Sequence, residues 1–573
     1  MTERQSISLA ILGSGGAGAL TAGNLLLEAA SAGGWQGLLA RTVGPQIRGG
    51  EAAALLRLGT KPIECLADQF DLLIGIDWLN AHRFGAEIQA GPRTVVISDP
   101  RGGELPPAIA ASGARIFEIP IKNMAKTIPE GRGNMIALGM AARLLGLHPD
   151  LLFSVLEKRL GEKGEAAVVA SRAGIRAGYD AAAGLEVDVR LAAPKPRSTR
   201  RWLISGNEAA GLGAIRGGVR FAAAYPITPA TEILEWLAPN LARMGGVLLQ
   251  AEDELAAINM IIGASFGGTP ALTATSGPGL SLMMEALGLS TAAEIPVVVI
   301  DVMRAGPSTG IPTKSEQADL NIAVYGFHGD APHLVLAPQS ISDCLFTTQW
   351  ATYLAEALQA PAIVLSDQFI GQARAAIERP ADVAFIGQRL KANDITSAYR
   401  RYALAANGVS PMAVPGTHGG QYTADGLTHT ERGTPTSGEA EHCAQLEKRH
   451  QKLEQFNFGD HWATAEGSGD LVVITWGSLT GAAREGIALA TKDGVQASLF
   501  APRLLSPVQP ERFAAALDDK KRVLVVEQSH GRQFHRYLKA HYQLPGAVRV
   551  LNRPGPLPIR AGEIHRAIME WSA

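Results

Sequence analysis

The chain has 573 residues, 46% of them hydrophobic, and a formal net charge of −2 from 52 basic and 54 acidic side chains. At about 100–200 residues per domain, this length calls for three or four domains, and the composition excludes disorder as the main theme. The near-balanced charge excludes a broadly basic nucleic-acid binder or membrane-surface protein.

The three cysteines, Cys65, Cys344 and Cys443, are far apart and form no CxxC pair. A disulfide framework, a zinc site or an iron–sulfur cluster held by this chain alone is therefore not expected, because each needs clustered thiolates. No apolar run of about 18 residues suggests a transmembrane helix. The segment 1–12 carries one arginine, Arg4, and a short apolar run that turns directly into glycines. It reads as a first strand rather than a signal peptide, which makes a cytoplasmic location the expectation.

The first segment, 1–190, opens with the apolar run Ser6–Leu12, a glycine loop and a helical stretch at Ala19–Ala32. Further strands are expected at Leu38–Ala40, Leu72–Ile76, Thr94–Ile97 and Ile116–Ile119, with helical stretches such as Asn134–Leu145. This alternation predicts an α/β domain with a parallel sheet. Gly13, Gly15 and Gly18, with Gly16 between them, satisfy G-x-G-x-x-G between strand and helix, where backbone N–H groups can meet a phosphate. A dinucleotide fold also wants an acid after the second strand, and Arg41 stands there instead, so a nicotinamide cofactor is poorly supported. A tight structural turn and a site for another anionic ligand both remain open. Arg48, inside the run Gly44–Gly50, is either a guanidinium offered to phosphate or carboxylate or part of a solvated turn.

The stretch Leu191–Arg201 is basic and proline-containing and reads as a linker. A second α/β segment, 203–380, has strands expected at Val247–Gln250, Ala271–Ala274, Val297–Val302, Leu334–Leu336 and Ala362–Ser366. Residues 381–466 read as an irregular connector, and a stretch that long is usually functional or wraps a neighbour. Glu441–Lys452 within it reads as a solvated helix face, and His418, His429 and His442 as ordinary polar-loop histidines without metal-ligand spacing. A third α/β segment, 467–573, has strands at Leu471–Thr475, Ala497–Phe500 and Val523–Glu527.

Four patches in the second segment suggest chemistry. Tyr225-Pro226-Ile227-Thr228-Pro229 is stiffened by two prolines around one hydroxyl. Ala251-Glu252-Asp253-Glu254 precedes an apolar helix, so its acids either cap that helix or include a buried catalytic carboxylate. Thr275-Ser276-Gly277-Pro278-Gly279 and Arg304-Ala305-Gly306-Pro307-Ser308-Thr309-Gly310 each follow a strand, at the end where open α/β sheets bind ligands.

In this order, these patches closely resemble the α subunit of 2-oxoacid:ferredoxin oxidoreductases, which depend on thiamine diphosphate (ThDP). The first segment looks like the family's γ subunit fused in front. Pro415–Gly433 and His442–Leu453 resemble the 2-oxoglutarate branch, and the last segment looks like a transketolase C-terminal domain. The resemblance implies three α/β domains: γ-type, ThDP pyrimidine-binding-type and transketolase C-terminal-like. It implies coenzyme A-dependent oxidative decarboxylation of a 2-oxoacid, most closely 2-oxoglutarate to succinyl-CoA and CO2. Electrons pass to ferredoxin, and reductive carboxylation is the reverse direction.

By the same resemblance, Glu254 matches the glutamate that contacts the ThDP pyrimidine, with Glu252 as runner-up. Arg304 matches the substrate arginine, whose fork suits a carboxylate. Thr228 matches the substrate threonine, with Tyr225, Pro226, Ile227, Ser276 and Gly277 beside it. Lys314 or a group on a partner could meet a second substrate carboxylate. Gly13, Gly15, Gly16, Gly18 and Arg48 are candidates for the coenzyme A region.

The family holds the ThDP diphosphate through Mg²⁺ with a Gly-Asp-Gly motif, and this chain has none. Mg²⁺ and a [4Fe-4S] cluster are therefore expected in a β subunit, in an (αβ)2 heterotetramer, with no metal site, nucleic-acid partner or membrane partner for this chain. Three other readings stay open: a nicotinamide dehydrogenase, a non-redox transketolase-like transferase and a scaffold subunit.

Overall fold

The structure is a computed structural model. It describes residues 3–14, 16–44, 50–187, 189–194, 201–393, 395 and 398–572. The chain divides into two compact units: residues 1–205 with 372–381 and 560–562, and residues 206–371 with 382–559 and 563–573.

The first unit is built on an eight-stranded sheet. Its spatial order is Arg115–Glu118, Val95–Ser98, Leu72–Gly75, Ser6–Gly13, Ala52–Gly59, Gln36–Val43, Arg374–Ile377 and Trp202–Ser205. Ser6–Gly13 pairs in parallel with Leu72–Gly75, as the apolar run predicts. On its other side it pairs antiparallel with Ala52–Gly59, which also runs antiparallel to Gln36–Val43. The sheet is thus mixed where the sequence reading expects parallel pairing throughout. The sequence Ala-Ala-Ala-Leu-Leu-Arg-Leu has helical propensity, and burial between two strands overrides it. Ile7, Leu9, Ile11, Leu56, Leu72 and Ile74 are fully buried against helices including Ala19–Ala32 and Gly133–Leu145.

The Gly133–Leu145 and Glu165–Ala181 helices meet backbone to backbone. A Cβ on Gly178 would lie 2.0 Å from the Ile136 carbonyl oxygen, and one on Gly139 would lie 2.0 Å from that of Ile175. Gly178→Ala must push the helices apart, and is expected to destabilise the protein by about 1–3 kcal/mol. A lowered urea midpoint with unchanged slope checks this.

The second unit carries two sheets. The larger has the order Leu504–Ser506, Leu334–Leu336, Ala362–Asp367, Val298–Met303, Ala271–Thr275, Phe221–Ala224 and Val247–Gln250. Every pairing in it is parallel except the first. Phe221–Ala224, Ala271–Thr275 and Val298–Met303 are adjacent and point the same way, so the loops after them open at one edge. The smaller sheet has the order Ala463–Gly467, Ala497–Pro502, Leu471–Ile474, Arg522–Glu527 and Ala547–Asn552, antiparallel only at its first pairing.

The connector is irregular over most of its length but firmly anchored within this unit. Arg389 forms a buried two-pronged pair with Glu356, both bonds at 2.7 Å. Its Glu439–Glu454 helix corrects the expectation of a solvated face: Lys448, Arg449 and Lys452 are buried. Lys448 Nζ donates to Glu294 Oε1 at 2.6 Å, and Lys452 Nζ donates to Glu294 Oε2 at 2.9 Å. Burial alone would raise the Glu294 carboxyl, but Lys452, Lys448 and Arg401 outweigh it and hold the group far below the carboxylate range. Burial lowers the Lys452 ammonium to about 8. His429 is likewise not an open-loop residue. It is buried, its Nε2 lies 3.0 Å from Asp425 Oδ1, and its ring stacks 4.5 Å from that of Tyr402.

Candidate active site

Four adjacent parallel strand ends bring the second segment's four motifs to one end of the larger sheet. After Phe221–Ala224, the Tyr225–Pro229 loop begins with an exposed tyrosine and sinks toward a buried Pro229. Two contacts fix this loop. Asn207 Nδ2 donates to the Pro229 carbonyl at 2.9 Å, and Arg304 Nη1 donates to the Thr228 carbonyl at 2.8 Å. Thr228 and Arg304, distant in sequence, are thus in direct contact. Tyr225 beside them is exposed, and Pro226 and Ile227 are half-buried.

The acidic run divides its labour. Asp253 is the N-cap of the Glu254–Phe266 helix, and its carboxylate accepts from the Ala256 N–H at 2.7 Å. Glu252 is exposed, whereas Glu254 is buried at the first helical position. Capping is therefore the work of Asp253, and it does not explain why a second acid is buried beside it. Glu254 lies against Gly279: a Cβ there would come within 2.7 Å of Glu254 Cγ, 2.9 Å of its Oε1 and 2.0 Å of Thr275 Oγ1. The glycine keeps open a space that the carboxylate and the threonine hydroxyl border.

Ser276 is the N-cap of the Gly277–Ala292 helix, yet its side chain does not cap it. Its Oγ is buried with no hydrogen-bond partner. Gly277 rests on Asp319, because a Cβ there would meet both carboxylate oxygens at 2.7 Å. Asp319 faces Asp301, a fully buried acid inside the strand Val298–Met303. Burial raises the Asp301 carboxyl well above its ordinary range, with the Asp319 charge adding to the effect. Asp319 is raised to about 7, by burial first, with a hydrogen bond from Asp301 and the charge of Arg304 opposing and that of Glu316 adding. Burial also lowers the Arg304 guanidinium, and the Asp319 charge opposes this.

The sequence reading misses Asp301 and Asp319. An acid in the middle of Val-Val-Val-Ile-Asp-Val-Met is the available signal for Asp301, since a buried strand tolerates a charge only for a reason. Asp319 has no local signal.

In the first unit, Gly13 ends its strand and Gly18 caps the following helix at φ 77°, a left-handed conformation that suits glycine. Gly16 lies between them at φ 83°. Asn134 Nδ2 donates to the Gly18 carbonyl at 3.1 Å. At the same strand end Asp77 accepts from Ser14 Oγ at 2.9 Å and from Lys122 Nζ at 3.1 Å. Gly15 and Arg48 lie outside the described residues. Among the described residues, no group of three or more His, Cys, Asp or Glu side chains is placed to hold a metal ion, and no helix is long and apolar enough to cross a membrane.

Comparison with known proteins agrees with these motifs. A family profile described as pyruvate flavodoxin/ferredoxin oxidoreductase, thiamine diP-bdg, matches residues 212–449. One described as pyruvate ferredoxin/flavodoxin oxidoreductase matches residues 8–181. The 2-oxoglutarate synthase subunit KorA of Methanothermobacter marburgensis is 35% identical over 376 residues, covering 64% of this chain and 96% of that protein. KorA of Archaeoglobus fulgidus is 38% identical over 331 residues, covering 58% of this chain and 88% of that protein. Among solved structures, the 2-oxoglutarate:ferredoxin oxidoreductase of Magnetococcus marinus, with 2-oxoglutarate, coenzyme A and succinyl-CoA bound, is similar at a TM-score of 0.92 and 34% identity, covering 99% of this chain and 100% of that one. The resemblance read from Tyr225–Pro229, Glu254, Thr275–Gly279 and Arg304–Gly310 is borne out: this α/β chain belongs to the 2-oxoacid:ferredoxin oxidoreductase family of enzymes, among its α subunits.

Proposed function

We propose that this chain is a fused γα subunit of a 2-oxoglutarate:ferredoxin oxidoreductase, which converts 2-oxoglutarate and coenzyme A to succinyl-CoA and CO2 and passes electrons to ferredoxin. The observation that carries the reading is the contact of Arg304 with the Thr228 carbonyl, with Glu254 buried at the same end of the sheet. The names of the relatives, KorA and the Magnetococcus marinus enzyme, support 2-oxoglutarate as the substrate. The match at residues 8–181 preceding the match at residues 212–449 supports the fusion.

The residues present fit the pyrimidine half of a ThDP site. Glu254 is a buried carboxylate, the space at Gly279 would be filled by a Cβ, and Ser276 Oγ is buried without a partner. Glu254 would hold a proton against a ring nitrogen of the pyrimidine, and Ser276 and Gly277 would line the same wall. When bound, ThDP supplies the carbanion chemistry that decarboxylation requires. Arg304 orients the 2-oxoacid carboxylate by a forked pair, and the Tyr225–Thr228 loop borders the substrate. Lys314, ten residues after Arg304, is the candidate for the second carboxylate of 2-oxoglutarate.

The residues of this chain do not fit the diphosphate half or a cluster. The sequence has no Gly-Asp-Gly tripeptide, and its three cysteines are scattered. We assign Mg²⁺, the diphosphate and a [4Fe-4S] cluster to a β subunit in an (αβ)2 assembly. Val247, Leu249, Leu255, Met260 and Leu282 are exposed apolar residues on the elements that carry the site, and they suit a covering partner. Gly13, Gly16 and Gly18 remain the coenzyme A candidates on this chain.

Arg304→Ala tests the substrate assignment. It removes a charge-assisted pair and is expected to lower kcat/KM for 2-oxoglutarate by about 10- to 150-fold, mainly through KM. Steady-state kinetics of the assembled enzyme with a ferredoxin acceptor reads this. An unchanged KM would withdraw the role of Arg304.

A further inference from the structure

Behind Arg304 lies a pair of carboxyls that the reaction as proposed does not use. Neither Asp301 oxygen meets a donor from another residue, although both are buried, and Asp319 Oδ2 is in the same condition. Asp301 is fully enclosed in its strand, and the polar group facing it is the Asp319 carboxyl. Two carboxylates cannot share such a space without a proton, because each is an acceptor only when ionised. Asp319 is seated under Gly277, and the charge of Arg304 acts on it.

We propose that Asp301 and Asp319 form a proton-sharing carboxyl pair that gates Arg304: with Asp319 protonated, the guanidinium is free to hold the substrate carboxylate, and with Asp319 ionised, Asp319 competes for it. Substrate binding then draws a proton into the pair. The inference rests on the assignment of Arg304 to the 2-oxoacid.

The sign follows from linkage. Asp319 titrates near 7 and Asp301 well above, so the pair loses its first proton around neutrality and keeps its second. The charged groups facing it are Arg304 and Glu316, with His530 acting on Glu316. From the Gly277–Ala292 helix, Gly277 rests on Asp319, and it carries no titratable group. Raising the pH through about 7 adds a negative charge beside Arg304 and weakens its hold on substrate.

Two readouts test this. In the infrared spectrum of the full chain near pH 8, a protonated-carboxyl stretch should be present and should vanish in Asp301→Asn. In the assembled enzyme, KM for 2-oxoglutarate should rise from about pH 6 to pH 8, by about tenfold for each unit by which substrate displaces the pair's titration. Asp319→Asn should flatten that rise at the low-KM level. Asp301→Asn, which donates to Asp319 and keeps it ionised, should flatten it at the high-KM level. A chain without the removable band, or variants whose KM keeps the wild-type pH profile, would overturn the proposal. An assembled enzyme that oxidises no 2-oxoacid would overturn the functional reading and the gating with it, while the infrared band still decides whether the carboxyl pair exists.

Discussion

Glu254→Gln is expected to lower kcat of the assembled enzyme by about 10²–10⁴-fold, the range for losing a positioned acid–base group. The substitution is nearly isosteric, so the packing against Gly279 and Thr275 survives and the helix keeps its Asp253 cap. KM for the 2-oxoacid should change little, because Arg304 and the Thr228 loop are untouched. Stopped-flow reduction of ferredoxin, together with an unchanged thermal midpoint, separates this outcome from misfolding. Glu252→Gln is the control: Glu252 is exposed, and its loss should leave kcat within about twofold. Equal effects from both substitutions would mean that the buried carboxylate has no special role.

The largest effect on stability should come from Glu294. This residue is fully buried and neutralises Lys448 and Lys452, which tie the connector's helix to the turn after the Gly277–Ala292 helix. Glu294→Ala leaves two buried ammonium groups without their carboxylate, and breaking such a pair from one side is expected to remove about 3–5 kcal/mol. Urea unfolding at neutral pH measures it. The pH dependence has a definite sign. Lysine and arginine charges hold the folded carboxyl far below its unfolded value of about 4, so between those values the unfolded chain binds more protons. The contribution is complete above about pH 4–5 and is lost as the pH falls further. Wild type and Glu294→Ala should therefore converge in acid. A variant as stable as wild type at neutral pH would contradict the role given to this network.

Many of the strands are legible in the sequence because each is a short apolar run ended by glycine, proline or a polar residue. Val247–Gln250 and Leu334–Leu336 need no adjustment, and Ser6–Gly13 and Ala271–Thr275 extend their runs by one residue. Ala52–Gly59 escapes because its alanines, leucines and arginine favour helix locally, and only the two flanking strands make it a strand. Arg374–Ile377 escapes because its partners in the sheet, Trp202–Ser205 and Gln36–Val43, come from far earlier in the chain.

The site is partly legible for the same kind of reason. Short-range patterns mark Tyr225–Pro229, Thr275–Gly279 and Arg304–Gly310. Choosing among Glu252, Asp253 and Glu254 needs burial and the cap hydrogen bond, which local sequence does not specify. Lys448 and Lys452 lie in a helix that looks solvated from composition alone, since the pairing with Glu294 is made across more than 150 residues.

The proposed function has this chain hold one half of a shared active site. Release of labelled CO2 from carboxyl-labelled 2-oxoglutarate, with ThDP, Mg²⁺, coenzyme A and oxidised ferredoxin supplied, tests it most directly. The chain alone should release none above background, and addition of its β subunit should start release together with ferredoxin reduction. Turnover by the purified chain alone would show that the site is complete within it and would contradict the account.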